Sequence, residues 1–384
     1  MRTVWLSIGI VLAGLLVALV LQGEPSTAPA EAPVATIATR VEALRGLTFK
    51  TQPVPQRVSP ATARREGLED LDRSYPAGRR RADEEVLKLL GLIKPDVDLR
   101  AISASVFGEG VAGYYDPRSK RLRIVTGTTP DALGEVVIAH ELTHALEDQR
   151  FGIKADESDS DDAGLARLAL IEGSATLVMQ EYLLRHLGAR ALGGMLASGA
   201  DTGPELPQFL QNQLLFPYLD GMRFVQALRQ RAGGAWTLVD LADRVRPPDS
   251  TEQILHPDKW VAVEAPLPVR LDVALGAGWR RTASGTFGEW QTRELIGDAK
   301  AAAGWGGDRY ELWQQGTCED SPCRDRDVLV MRWRWDSERD AREFDAALRE
   351  APVARDANAT VWFWRNTVTL ALAPTAALAR RVAK

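Results

Sequence analysis

The stretch EVVIAHELTHALEDQ, residues 135–149, decides how the rest of the sequence is interpreted. It places His140 and His144 four residues apart, and Glu141 directly follows the first histidine. Apolar residues recur at helical spacing, which predicts one long helix over about 130–149. Residues i and i+4 share a helix face, so two imidazoles one turn apart can grip one ion, as in the H-E-x-x-H motif. The pattern predicts a zinc site on His140 and His144, with Glu141 as general base.

A catalytic zinc usually has a third protein ligand. The segment ALEDQRF after His144 holds no histidine, so the metzincin continuation is absent. Glu172 is the candidate, because it lies within a second predicted helix, 163–188, in an otherwise apolar stretch. A carboxylate there would be costly to bury without a partner. Gly173 and Ala175 beside it are small, which lets two helices approach closely.

The residues His140, Glu141, His144 and Glu172 resemble the corresponding set of zinc peptidases of the gluzincin class. This resemblance implies a zincin-like fold, Zn2+ as the cofactor and a peptide or protein as the substrate. It also implies that Glu141 activates the zinc-bound water for hydrolysis of a peptide bond. Thr176 stands where the thermolysin-like branch has an aspartate, so the resemblance does not extend to that branch.

Residues 110–116 and 121–126 flank the turn-length segment PRSK and predict a β-hairpin just before the zinc helix. In gluzincins an edge strand in this place holds the substrate backbone. Tyr114 or Tyr115 is therefore a candidate donor to the developing oxyanion, with simple packing on the sheet as the alternative. His256, in the segment PPDSTEQILHPDKW, is a further catalytic candidate, with a structural turn as the alternative.

The segment VWLSIGIVLAGLLVALVL, residues 4–21, carries no charge and is near the lower length limit for spanning a membrane. Arg2 precedes it, and the acidic residues Glu24 and Glu31 follow before any further basic residue. This bias favours an N-terminus in the cytoplasm. We expect a transmembrane helix that anchors the chain in the cell membrane, with the remainder outside the cytoplasm. If the segment is a cleaved signal, the product is secreted or periplasmic.

The predicted fold class is α+β. Composition and hydrophobic pattern divide the chain into four stretches. These are a membrane anchor or signal peptide (1–23), a Pro/Ala-rich spacer (24–38), a mainly helical zincin-like metal-binding domain (39–260) and a Trp-rich α+β domain (261–384). Residues 39–107 look mostly helical, and they could occlude the active-site cleft.

Two further features concern the C-terminal domain and the loop after the zinc helix. Cys318 and Cys323 predict a small local disulfide, which export favours, with free or metal-binding thiols as the alternative. The pairs Trp333/Trp335 and Trp362/Trp364 are expected to alternate between two faces of a sheet, with a sugar or peptide platform as the alternative. The acidic loop 156–162 is expected to be solvated, with calcium binding as the alternative.

The composition and net charge of the chain exclude some classes of function. A hydrophobic content of 45% and a charged content of 26% are typical of a globular protein. The net charge of -5 and the lack of a long basic stripe argue against nucleic acid as the partner. The alternative to a peptidase is a non-catalytic exported binding or scaffold protein that retains a gluzincin-like fold. Glu141 argues against that alternative, because a binding protein needs no general base.

Overall fold

The computed structural model describes residues 33–109, 113–126, 131–153, 160–188, 206–318 and 321–384. These residues form 14 helices and two sheets, so the predicted α+β class is confirmed. The helices of the N-terminal part are α1 (Val34–Arg45), α2 (Pro60–Ser74), α3 (Ala77–Leu89), α4 (Leu99–Glu109), α5 (Asp131–Phe151), α6 (Asp161–Tyr182), α7 (Gln208–Arg231), α8 (Thr237–Arg244), α9 (Thr251–Leu255) and α10 (Pro257–Val261). Its strands are β1 (Gln56–Val58), β2 (Gly113–Asp116) and β3 (Arg121–Val125).

The small sheet lies directly before the helix that carries the two histidines. Strands β2 and β3 form the predicted antiparallel hairpin, with Tyr115 opposite Leu122. Strand β1 adds to β3 in parallel, with Arg57 opposite Ile124, which gives the order β1-β3-β2. The short QRV segment of β1 has no strand pattern of its own, and its pairing depends on β3. Among the described residues β2 pairs only with β3, so it is an edge strand.

The two long helices predicted from the sequence are both present. The helix predicted at 130–149 is α5, which extends to Phe151 and is followed by Gly152 at a φ of 79°. Helix α6 begins after Ser160, whose side chain accepts a hydrogen bond from the Ala163 amide at 3.1 Å. A π-helical turn over Leu183–Leu187 follows it. The helical spacing of apolar residues therefore located both helices to within a few positions.

Helix α6 packs between α5 and α7. The small residue Gly173 was expected to let α6 approach the histidine helix. Instead Gly173 faces α7, where it meets the backbone of Gly221. The close approach thus joins Glu172 to a third helix that the sequence-based reasoning had not connected with the site.

The C-terminal part is a five-stranded antiparallel sheet in the order β4-β5-β6-β8-β7 with flanking helices. Its elements are β4 (Trp279–Gly285), α11 (Gly288–Ile296), α12 (Ala299–Ala302), β5 (Trp305–Gln315), β6 (Asp327–Trp335), α13 (Glu338–Glu350), β7 (Ala359–Trp364), β8 (Thr367–Leu372) and α14 (Ala376–Val382). Helix α13 covers one sheet face, and α14 packs on the other.

The expected alternation of the paired tryptophans between two sheet faces is wrong. Trp333 and Trp335 are both fully buried on one face, where their ring centroids lie 5.0 and 4.5 Å from that of Phe344. Trp362 and Trp364 share the opposite face, with parallel rings 6.2 Å apart. The reason is the strand period of two, which points residues i and i+2 the same way.

One hydrophobic core runs through both predicted domains. Leu165 and Phe224 of the helical part belong to the same buried cluster as Trp290 and Trp333 of the sheet part. The predicted boundary at 260/261 therefore marks a change in the sequence pattern, but the residues on its two sides pack around one shared core.

Polar contacts reinforce this junction. Thr251 donates its hydroxyl to Asp162 at 2.6 Å and accepts from the Trp290 amide of α11 at 3.2 Å. Arg79 pairs with Asp161 at 2.8 Å and donates to the Tyr310 hydroxyl of β5 at 3.4 Å. Asp161 and Asp162 thus belong to packed contacts; most of the predicted acidic loop lies outside the described residues. The predicted disulfide between Cys318 and Cys323 is confirmed.

The N-terminal expectations need correction. In the described part of the chain, no helix is both long enough and apolar enough to cross a membrane. The expectation of a transmembrane helix is overturned to that extent, and residues 4–21, to which it applied, lie outside the described residues. Helix α1 begins at Val34, so the last positions of the predicted 24–38 spacer are helical and pack against α5.

Candidate metal centre

Helices α5 and α6 bring the three predicted ligands, His140, His144 and Glu172, together. The Nε2 atoms of His140 and His144 are 3.0 Å apart, and Glu172 Oε2 lies 3.2 Å from the first and 3.4 Å from the second. Zinc bonds of about 2.0–2.1 Å at tetrahedral angles place ligand atoms about 3.3 Å apart. The three atoms thus outline one face of a tetrahedron of the size that zinc requires.

The electrostatics of this cluster favour a positive charge. Both histidines and Glu172 are at most 1% exposed. Burial alone would raise the pKa of Glu172, but the neighbouring His144 and His140 hold it below its usual value. Burial likewise opposes protonation of His144, yet the Glu172 carboxylate outweighs it and raises the pKa of His144 to about 9. The cluster is therefore suited to a proton or a metal cation between its donors.

Glu141 lies beside the cluster with both carboxylate oxygens buried, and neither has a hydrogen-bond partner among the described side-chain contacts. Burial raises the pKa of Glu141 to about 8; His144 opposes this shift and Glu172 adds to it. The backbone of β2 runs past this side chain, because a Cβ on Gly113 would lie 3.7 Å from Glu141 Cγ. Glu141 therefore stands between the donor cluster and the edge strand.

Tyr218 of α7 is a site residue that the sequence-based reasoning missed. Its hydroxyl is hydrogen-bonded to Glu172, and its ring centroid lies 6.2 Å from that of His140. Burial, followed by the charges of Glu172 and Glu141, raises the pKa of Tyr218 well above its usual value. The hydroxyl therefore keeps its proton as a donor. The only signal in the sequence was a polar aromatic residue within the apolar run LLFPYL of a predicted helix.

Buried contacts at Glu147 connect α5 to α6 and to α1, about one turn along α5 from His144. Arg45 of α1 donates to Glu147 Oε1 at 2.6 Å, and Ser174 donates its hydroxyl to the same oxygen. Arg45 also pairs with Asp240 of α8 at 2.7 Å. Because Glu147 follows His144 on α5 and Ser174 follows Glu172 on α6, this contact sets the relative position of the ligands.

The predicted tyrosine candidates on β2 point elsewhere. The Tyr115 hydroxyl donates to Asp148 at 2.6 Å, and the Tyr114 hydroxyl donates to Glu66 at 2.6 Å. Tyr115 also packs in the core behind α5, beside Leu142. Both tyrosines therefore follow the alternative of packing on the sheet, and only the backbone of β2 borders the donor cluster.

His256 is not brought to the cluster. Its Nε2 lies 2.8 Å from Glu289 of α11. Thr251 begins α9, the short helix that His256 directly follows, and donates a hydrogen bond to Asp162. Asp162 precedes Glu172 by ten residues on α6, a distance of about 15 Å along a helix. The placement of His256 supports the structural alternative, in which it ties α9 to α11.

A second group of clustered acids has a different character. Glu252, Glu264 and Asp336 lie close enough together to suggest a cation site. Lys259 Nζ, however, lies 2.6–2.7 Å from a carboxylate oxygen of each. This group is an internal ion-pair network, in which the lysine supplies the positive charge.

The described residues thus define an α+β protein with a buried donor cluster of two histidines and one glutamate. Residues 274–383 match the family model described as "Domain of unknown function (DUF8575)". The match spans the C-terminal sheet and its helices and includes none of the donor residues. No curated protein and no solved structure matches the chain.

Proposed function

We propose that this chain is a zinc-dependent hydrolase of peptide bonds with a zincin-like core and gluzincin-type ligands. The observation that carries the proposal is the triangle of donor atoms on His140, His144 and Glu172, with edges of 3.0, 3.2 and 3.4 Å. A buried cluster of two imidazoles and one carboxylate matches the ligand chemistry of catalytic zinc, which usually has three protein ligands and an open fourth position.

Zinc held by His140, His144 and Glu172 would supply Lewis acidity, which lowers the pKa of a bound water molecule and polarises a carbonyl group. Glu141 follows His140 on the same helix and contacts no competing hydrogen-bond donor side chain. As a carboxylate, Glu141 would accept a proton from a water molecule held at the donor cluster. It can then pass that proton to the amine that leaves.

Tyr218 is suited to stabilise the negative charge that develops on the substrate carbonyl oxygen. Its hydroxyl lies against Glu172, at the edge of the donor cluster, and remains protonated. A fixed donor in a water-excluded site is worth much more than the same donor in water. In this proposal Tyr218 has the oxyanion role that was expected of Tyr114 or Tyr115.

The edge strand β2 favours a polypeptide as the substrate. Its outer edge has no strand partner among the described residues, and its backbone borders Glu141 at Gly113. An extended peptide that pairs with this edge by strand addition would bring its own backbone to the base. This argument favours peptide bonds over small esters or amides as the bonds that are cut.

We also infer that the described part of the chain works in an oxidising compartment outside the cytoplasm. The Cys318–Cys323 disulfide supports this, since such bonds persist in exported proteins and are rare in reducing cytosol. Trapping of free thiols in the native host, followed by mass spectrometry, tests the inference. Two free thiols in freshly trapped protein would overturn it.

The test of function is metal content and turnover of the full chain. After exhaustive dialysis, elemental mass spectrometry should find about one zinc per chain. Glu141→Gln should retain that zinc and lose cleavage of a peptide library, whereas His144→Gln should lose both. A folded protein that takes up no zinc, or a Glu141→Gln variant that cleaves like the wild type, would refute the proposal. Zinc without any cleavage by the wild type would favour the non-catalytic binding protein.

A further inference from the structure

The donor cluster and the proposed base are closed off from solvent. Glu172 and Tyr218 are at most 1% exposed, and both carboxylate oxygens of Glu141 are buried. A peptide bond must reach these groups to be cut. The described conformation is therefore a closed state, and part of the protein must move to admit a substrate.

Helix α4 provides a cover on the Tyr218 side. Val106 is buried against the Tyr218 side chain, and Ile102, Leu206 and Leu214 complete this small apolar cluster. Leu214 belongs to α7, as Tyr218 does, while Leu206 lies just before that helix. Val106 thus occupies an apolar pocket formed by Leu206, Leu214 and the Tyr218 side chain. The Tyr218 side chain lies between this pocket and Glu172.

Helix α4 is tied to α3 at its beginning and packs along α2 after it, but it buries few side chains there. The Leu99 amide donates to Glu84 of α3 at 3.0 Å, and Asp98 accepts from the Ala101 amide at 2.9 Å. Of the side chains described in this helix, 99–106, only Leu99 and Val106 are buried. Elements with few buried contacts open at the lowest free-energy cost. The end of α4 that covers Tyr218 is also the end that leads towards the edge strand β2.

We propose that α4 occupies the substrate cleft and that a substrate displaces it, placing an aliphatic side chain in the pocket that Val106 fills. The inference rests on the proposed function. It adds a substrate preference to it: an extended peptide with Val, Ile or Leu beside the bond that is cut. The pocket is lined by Leu206, Leu214 and the Tyr218 side chain, so a charged side chain there would lose hydration without gaining a charged partner.

The first test follows the opening of α4 without any use of activity. In the full chain, hydrogen exchange of the amides of Leu99–Glu109 should be faster than that of α5 and α6. Val106→Ser should accelerate exchange in α4 alone by about tenfold, because one buried valine side chain closes the helix. Val382→Ser, an equivalent change in α14, should leave α4 unaffected. Exchange in α4 as slow as in α6, in both the wild type and Val106→Ser, would overturn the proposal.

The second test uses cleavage of a peptide library. Val106→Ser should cleave several-fold faster than the wild type, and the milder Ile102→Ser should act in the same direction if Val106→Ser folds poorly. Both should prefer aliphatic side chains at one position beside the cut. Leu214→Ala should shift that preference towards larger side chains, because it enlarges the pocket.

The outcomes separate the two proposals. Zinc-dependent cleavage without an aliphatic preference would overturn the pocket assignment and leave the proposed function standing. A chain without zinc, or a Glu141→Gln variant as active as the wild type, would overturn the proposed function itself.

Discussion

Gly173 of α6 and Gly221 of α7 meet where the two helices cross, and neither position has room for a side chain. A Cβ on Gly173 would collide with the carbonyl group of Gly221, and a Cβ on Gly221 would collide with that of Ala169. The crossing lies one residue after Glu172 and three residues after Tyr218. Backbone contact between two glycines therefore sets how the Glu172 carboxylate and the Tyr218 hydroxyl meet.

Alanine at this crossing should separate the helices. We expect Gly221→Ala to lower the free energy of unfolding by about 3 kcal/mol, as overpacked cores do, and to weaken zinc binding. Gly134→Ala is the control, because a Cβ there meets nothing within 4 Å on the same kind of helix. It should be neutral or stabilising by up to about 1 kcal/mol. Urea unfolding and zinc titration of both variants make the comparison, and equal effects would contradict the crossing model.

Two matched variants compare the Tyr218 hydroxyl, which lies at the donor cluster, with the Tyr115 hydroxyl, which is bonded to Asp148. Tyr218→Phe should retain zinc and lower kcat by about a hundredfold with little change in KM, since it removes a donor needed in the transition state. Tyr115→Phe removes only the bond to Asp148. It should cost about 1 kcal/mol of stability and leave kcat unchanged. A reversal of these two effects would return the catalytic role to Tyr115.

The variant His256→Gln tests whether this histidine contributes to catalysis. Its partner Glu289 is buried in α11, and an amide can still donate to it. We expect turnover within about twofold of the wild type and a loss of stability of about 1 kcal/mol. His144→Gln, with the same chemical change, should abolish zinc binding. A large fall in kcat for His256→Gln with zinc retained would restore the catalytic reading of His256.

A buried carboxyl pair joins the two parts of the chain and should make stability depend on pH. Burial and a hydrogen bond with Glu85 of α3 raise the pKa of Asp327 on β6 to about 8, from an ordinary value of 3.8. The folded state therefore holds a proton that the unfolded chain releases. This contribution is complete below about pH 4 and is lost as the pH rises through about 8. The unfolding free energy should fall across this range.

Glu85→Gln should flatten that pH dependence. The amide oxygen can still accept from the Cys323 amide, which lies 2.6 Å from Glu85 Oε1, and the amide nitrogen can donate to Asp327. No shared proton is then needed, so the variant should be more stable than the wild type by about 2 kcal/mol at pH 9. Guanidinium unfolding from pH 5 to pH 9 measures the difference. Parallel curves for the two proteins would show that the pair does not share a proton.

The sequence by itself determined the elements whose signals are local. Helical periodicity located α5 and α6, and therefore His140, His144 and Glu172, because side chains four residues apart share a face whatever packs around them. A turn-length segment between two short strand-like runs located the hairpin, and the spacing of the two cysteines located the disulfide.

Only the tertiary structure decided what surrounds these residues. Tyr218, the contact of Arg45 with Glu147 and the cover formed by Val106 all come from helices distant in sequence. Their approach depends on where helices cross, and no periodicity within one segment encodes that. The same limit explains why we propose Tyr218 in place of Tyr115 as the oxyanion donor. A strand pattern indicates that alternate side chains face opposite ways, but it does not say which face meets the helix that carries the two histidines.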